Sequence, residues 1–158
     1  MLIQIILYSM KVEFINSDKY IIYLNKLYYT FSKSTIESCL SKILKKLKKL
    51  YNIEVYSTFN IECYINSNYG VIIVIEREYN PFSMYSKKTD LNIKFYDNSL
   101  FLYEIDDYFL KNNINNSSVY IYNNKIYFDI KDNDVTCVIE HVKNIIFGDY
   151  ALDVIRKI

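Results

Sequence analysis

Between residues 10 and 75 the hydrophobic period changes twice, and few architectures accommodate that. Met10, Val12 and Phe14 alternate with Lys11 and Glu13, the period-two pattern of a half-buried strand. Asn16-Ser17-Asp18 is turn chemistry, because short polar side chains bond their own backbone and tolerate left-handed angles. Tyr20 to Leu24 then returns as a second strand, too apolar to be exposed on both faces. The period next becomes helical. Ile36, Leu40, Ile43, Leu44, Leu47 and Leu50 fall on one stripe, Ser34 and Glu37 have capping-box spacing, and Asn52 is a stop. Ile53 to Val55 offers the start of a strand. Period two then resumes, with Ile61, Cys63 and Ile65 set against Glu62, Tyr64 and Asn66. Asn66 to Gly70 turns, and Val71 to Ile75 comes back as a near-continuous apolar strand. The expected first unit is β-β-α-β-β over residues 1–79.

Asn80-Pro81 and the polar run from Ser83 to Asp90 predict a linker over residues 80–90. In residues 91–158 the pattern repeats loosely. Leu91, Ile93 and Phe95 make a strand. Leu100 to Tyr103 is another, or the lead into a short helix over Ile105 to Leu110, and Asn112 to Ser118 is a polar loop. Val119 to Tyr122 and Ile126 to Ile130 form a hairpin around Asn123-Asn124. Asp132 or Asp134 caps a helix that carries Val138, Val142 and Ile145 inward, and Gly148 breaks it. Asn144 to Phe147 either ends that helix or forms a short strand. Ala151, Val154, Ile155 and Ile158 give a last helical stripe. The expected class is α+β: two small units, each a mostly antiparallel sheet packed with one or two helices, β-β-α-β-β followed by β-β/α-β-β-α-α.

A chain of 158 residues that is 51% hydrophobic and 23% charged buries enough to offset its ordering entropy. A net charge of +1 exerts no long-range pull on nucleic acid or anionic lipid. The opening MLIQIILYS lacks a basic flank and a cleavage site and is too short to span a bilayer. Met10-Lys11 resembles a second translation start, so residues 1–9 are expected to be an upstream extension. The rival is an extra edge strand over Ile3 to Leu7. Cys39, Cys63 and Cys137 are scattered and odd in number. They give neither a disulfide framework nor a zinc pattern, and a reducing, cytoplasmic setting follows. Eighteen Tyr, nine Phe and no Trp, with two Gly and one Pro, suggest an AT-rich coding sequence, which weakens the meaning of any single Tyr, Asn, Ile or Lys.

Catalytic vocabulary is scarce. His141 lies four residues after Cys137, but a dyad needs an activated thiolate and an oxyanion site, and a metal needs two further ligands. Asp129, Asp132, Asp134 and Glu140 lack the glycine of a calcium loop, and helix capping explains them better. Glu104, Asp106 and Asp107 read as a carboxylate pair or as the acidic first turn of a helix. No phosphate-cradling glycine loop, nucleophile elbow or HExxH is present. No enzyme, cofactor or metal site is therefore expected. Two binding surfaces stand out. One is the lysine face of the first helix, Lys42, Lys45, Lys46 and Lys49, extended by Lys48. The other is the hairpin VYIYNNKIYF, whose Tyr120 and Tyr122 interleave with lysine as base-stacking aromatics do. A solvated helix face and ordinary β-propensity account for both without a ligand.

The stretch MKVEFINSDKYIIYL resembles the opening hairpin of the MecA family of bacterial adaptor proteins. FNIECYINSNYGVIIVIE resembles the hairpin after that family's first helix. FLYEIDDYF and SVYIYNNKIYFDI resemble segments of its second half, and IIFGDYALDVI resembles its closing helix. The family's long charged segment before the helix is missing here, the helix is basic where the family's is acidic, and the acidic interdomain linker is short. The resemblance implies a non-catalytic adaptor. Its N-terminal unit would capture a client protein and its C-terminal unit would dock on a Clp-type AAA+ unfoldase. The alternative is a small nucleic-acid-binding protein that uses the lysine helix.

Overall fold

A computed structural model of the chain describes residues 10–25, 33–66, 70–105, 118–130 and 142–157. Within them the fold is α+β, with a five-stranded and a four-stranded sheet. The chain divides into two compact units, Met1–Cys63 with Val71–Phe95 and Tyr64–Gly70 with Tyr96–Ile158.

The first sheet has the order β1 (Met10–Phe14), β2 (Lys19–Asn25), β4 (Gly70–Glu78), β3 (Thr58–Asn66), β5 (Asp90–Tyr96). β1 and β2 pair antiparallel, from Lys11 opposite Tyr23 to Phe14 opposite Tyr20. The turn between them works as its sequence predicts. The Asn16 side-chain oxygen accepts the backbone N–H groups of Asp18 and Lys19, each at 2.8 Å. β4 is the central strand, which is why its run Val71, Ile72, Ile73 and Ile75 is buried without a polar alternation. β3 alternates as expected, burying Phe59, Ile61 and Cys63.

Helix α1 (Lys33–Tyr51) buries Leu40, Ile43, Leu44 and Leu47, each side chain contributing about 1.5–3 kcal/mol. Asn52 ends it in the left-handed conformation, φ 54°, with its N–H donating to the Lys48 carbonyl at 2.9 Å. Leu50, expected on the buried stripe, is half-exposed at the helix end. The Ser34 side chain of the expected capping box lies outside the described residues. Ile53 to Val55 is not a strand. Glu54 there accepts the Tyr56 N–H, the bond that does most to hold its carboxyl below the ordinary range.

Residues 80–90, expected as a linker, are structured. Helix α2 (Pro81–Ser86) occupies them and leads into β5, which joins the first sheet beside β3 instead of opening the second unit. An edge strand needs only one covered face, and Leu91, Ile93 and Phe95 are half-buried while Asn92 and Lys94 are exposed.

The second sheet runs β7 (Ser118–Tyr122), β8 (Lys125–Asp129), β6 (Phe101–Ile105), β9 (Val142–Phe147). The β7–β8 hairpin turns on Asn123 and Asn124, both at positive φ (49° and 60°), as a two-residue primed turn requires. Helix α3 (Gly148–Arg156) covers one face, where Leu102, Tyr127 and Ile146 form a core with Ala151 and Val154. Phe101, Tyr103 and Phe128 are buried on the opposite face of the same strands.

Val142 and Ile145, expected on a helix, lie on β9. Pairing with β6 along Leu102–Ile146 and Tyr103–Ile145 outweighs the local helical spacing, since a short apolar run carries little period of its own. Residues 131–141, with the expected caps Asp132 and Asp134 and the pair Cys137 and His141, lie outside the described residues, as do residues 1–9 and 106–117.

Gly148 switches the chain from β9 into α3 at φ 62°, and its N–H donates to the Leu100 carbonyl at 3.1 Å. A Cβ there would sit 2.7 Å from Cε1 of Tyr64. That ring is held, stacked on Tyr96 at 4.7 Å and edge-on to Phe147 at 4.9 Å. Gly148→Ala therefore combines a left-handed alanine with a clash against an immobilised ring. Chemical denaturation should show a loss of about 3 kcal/mol, and a loss below about 0.5 kcal/mol would contradict this role.

Candidate functional site

The lysine face is only partly a face. Lys42, Lys45 and Lys49 recur at helical spacing, are exposed, and make no ion pair among the described residues. Lys46 differs: it is half-buried, and its Nζ is enclosed with no hydrogen-bond partner among the described residues. Lys48 leans over the Tyr56 ring at 4.8 Å. Cys39, on the same helix, is half-buried, and burial pushes its thiol up despite Lys42 nearby. Cys63 is fully buried, with its thiol pushed up to about 12 by the same cause.

Glu104 is not the acidic first turn of a helix. It sits in β6, where its carboxylate accepts a hydrogen bond from Lys125 Nζ at 3.0 Å. Asp106 and Asp107 lie outside the described residues. Tyr120 and Tyr122 are half-buried and pack against the core under α3, with Lys157 6.0 Å from the Tyr122 ring. Tyr127, opposite Glu104, has its hydroxyl pushed up by burial and then by the Glu104 charge.

Glu37, Ser38, Ser41, Thr89, Asp90 and Leu91 line an open groove of about 430 Å³ on the first unit. Two of its polar groups are already engaged: the Thr89 hydroxyl donates to the Val55 carbonyl at 2.7 Å, and Asp90 pairs with Lys88 at 3.8 Å. Among the described residues no three His, Cys, Asp or Glu side chains come together as a metal-binding group. No helix among them is long and apolar enough to cross a membrane.

A different surface emerges on α2, and it is inside out. Its buried residue is Ser83, 3% exposed, while Phe82 is 80% exposed and Tyr85 90% exposed. Tyr79 and Met84 are exposed beside them. Both ends of this six-residue helix are fastened. The Asn80 side chain accepts the Phe82 N–H at 3.0 Å, Pro81 sets the first turn, and Lys87 closes it in the left-handed conformation. The Lys88 N–H donates to the Ser83 carbonyl at 3.0 Å. Sequence reasoning passed over these aromatics because the polar residues around them signal a linker. The usable signal was Asn80-Pro81, an N-cap followed by an N1 proline, ahead of FSMY.

No family model, no curated protein and no solved structure matches the chain.

The Glu104–Lys125 pair gives a pH test. The Glu104 hydrogen bond and charge raise Lys125 above the ordinary lysine value of 10.5. The folded protein thus holds that proton more tightly than the unfolded chain. The stabilisation is complete below 10.5 and is lost as the pH climbs through the raised value. Glu104→Gln should return Lys125 toward 10.5 in an NMR titration, and its stability deficit at neutral pH should close at alkaline pH. An unchanged Lys125 titration would show that the pair does not form.

Proposed function

We propose that the chain is a non-catalytic interaction protein of the adaptor kind. On this reading the first unit takes hold of a client polypeptide and the second docks on a Clp-type AAA+ unfoldase, as the resemblance to the MecA family implies. The role needs no reacting side chain and carries a cytoplasmic location with it.

The observation that supports it is α2. Core packing does not explain Phe82 and Tyr85, because the helix turns a serine inward and holds the aromatics out. Aromatic side chains and methionine are the residues enriched where proteins meet, and clustered exposed apolar side chains mark interaction sites. Caps at both ends fix the display, so a partner meets it with little further ordering cost.

A purified Clp-type unfoldase and an unfolded casein probe test both halves of the proposal. Phe82→Ser with Tyr85→Ser should weaken casein binding about tenfold or more. It should leave the melting temperature nearly unchanged, since both side chains are exposed. Unfoldase binding should survive the double change. Casein binding that ignores it, or a native chain that binds neither protein, would overturn the proposal.

Lys42, Lys45 and Lys49 favour a second reading, a nucleic-acid-binding protein. On the adaptor reading the chain binds no single-stranded DNA even at low salt. Tight binding, steep in salt and abolished by Lys42→Glu, Lys45→Glu and Lys49→Glu together, would replace it. Lys46 is left intact in that variant, because a carboxylate at its enclosed position would disturb the fold.

A further inference from the structure

Each sheet has two edge strands, and their sequences differ in one respect. β1 carries Lys11 and Glu13, β5 carries Asp90 and Lys94, and β9 carries Lys143. β7, Ser118–Tyr122, carries neither charge nor proline. Charges and prolines are the devices that keep an edge strand from pairing with another chain, and β7 has none of them.

The register shows which backbone groups β7 leaves open. The primed turn at Asn123-Asn124 makes the flanking residues, Tyr122 and Lys125, a hydrogen-bonded pair. Alternation then makes Tyr120–Tyr127 and Ser118–Asp129 the other bonded pairs. The N–H and C=O groups of Val119 and Ile121 therefore point away from β8, toward an edge that no described strand pairs with. Their side chains are 48% and 62% exposed.

We propose that β7 pairs antiparallel with β7 of a second copy of this chain, about a two-fold axis at Tyr120. That centre sets Val119 of each copy opposite Ile121 of the other. All the outward backbone groups of Val119 and Ile121 then pair, with a β-branched apolar side chain against another at each bonded position. Tyr120 faces Tyr120 across the axis. Moving the register by two residues leaves one such pair within the strand, and moving it by one leaves none. The strand thus singles out its own sequence as partner. A foreign peptide would find no charge on β7 to select its side chains, whereas a two-fold axis supplies the complement automatically. The two four-stranded sheets become one continuous sheet. This association goes beyond the adaptor reading and does not use α2.

The test is sedimentation of the full chain across the micromolar range, with Val119→Lys and Ile121→Lys as separate variants. The native chain should show a concentration-dependent dimer. Each lysine should raise its dissociation constant about tenfold or more, with the melting temperature nearly unchanged because both positions are exposed. Tyr120→Cys should yield a dimer linked through residue 120 on mild oxidation, since residues opposite one another in a non-bonded antiparallel pair lie about 4.5 Å apart at Cα. A native chain that stays monomeric throughout, or a dimer indifferent to both lysines, would overturn the proposal. So would β7 amides that gain exchange protection from an added peptide and not from raised protein concentration.

Discussion

The burial of β4 on both faces is the constraint on which the first unit depends. A strand with Val71, Ile72, Ile73 and Ile75 all removed from water has no polar side to give up, so it must lie in the middle of a sheet with both faces covered. Its neighbour β3 then needs one buried face, as does β5 beyond it at the edge, and both have the matching alternation. Register is pinned at the strand's end. The Ser57 hydroxyl donates to the Glu78 carbonyl at 2.6 Å, and Arg77 Nε donates to Asp18 at 2.8 Å in the β1–β2 turn. The Arg77 N–H also reaches the Asp18 carbonyl at 2.7 Å. A one-residue slip of β4 would break these ties together. The guanidinium, with the Ser17 hydroxyl, holds the Asp18 carboxyl below its ordinary range.

Elements whose signal is local were legible in the sequence. The Asn16 turn, the stripe of α1 with its Asn52 stop, the Asn123-Asn124 hairpin and the final helix each rest on residues within a few positions of one another. Elements decided by distant pairing were not. The run Asn144 to Phe147 fits a helix end and a short strand alike until β6 is laid beside it, and β5 looks like the start of a second unit until β3 is. The candidate surfaces divide the same way. Charge placed Lys42, Lys45, Lys46 and Lys49 in one exposed row, but nothing nearby in sequence shows that Lys46 is enclosed or that Glu104 meets Lys125 across two strands. The tyrosines of β7 were visible as aromatics. That Tyr120 and Tyr122 lie under α3 depends on the fold.

The inversion of α2 links this architecture to a role. A short helix held by Asn80, Pro81 and Lys87 keeps Phe82 and Tyr85 in water although the first unit has a well-formed core elsewhere. Exposed aromatics cost solubility, and here caps at both ends hold them in place, as the proposed docking role requires. Site-specific photo-crosslinking tests this most directly. A benzophenone amino acid at position 85 in the full chain, irradiated in the native cell, should give discrete polypeptide adducts that disappear when Phe82 is changed to serine in the same chain. Adducts to nucleic acid, or none at all, would contradict the claim that α2 is a protein-docking surface.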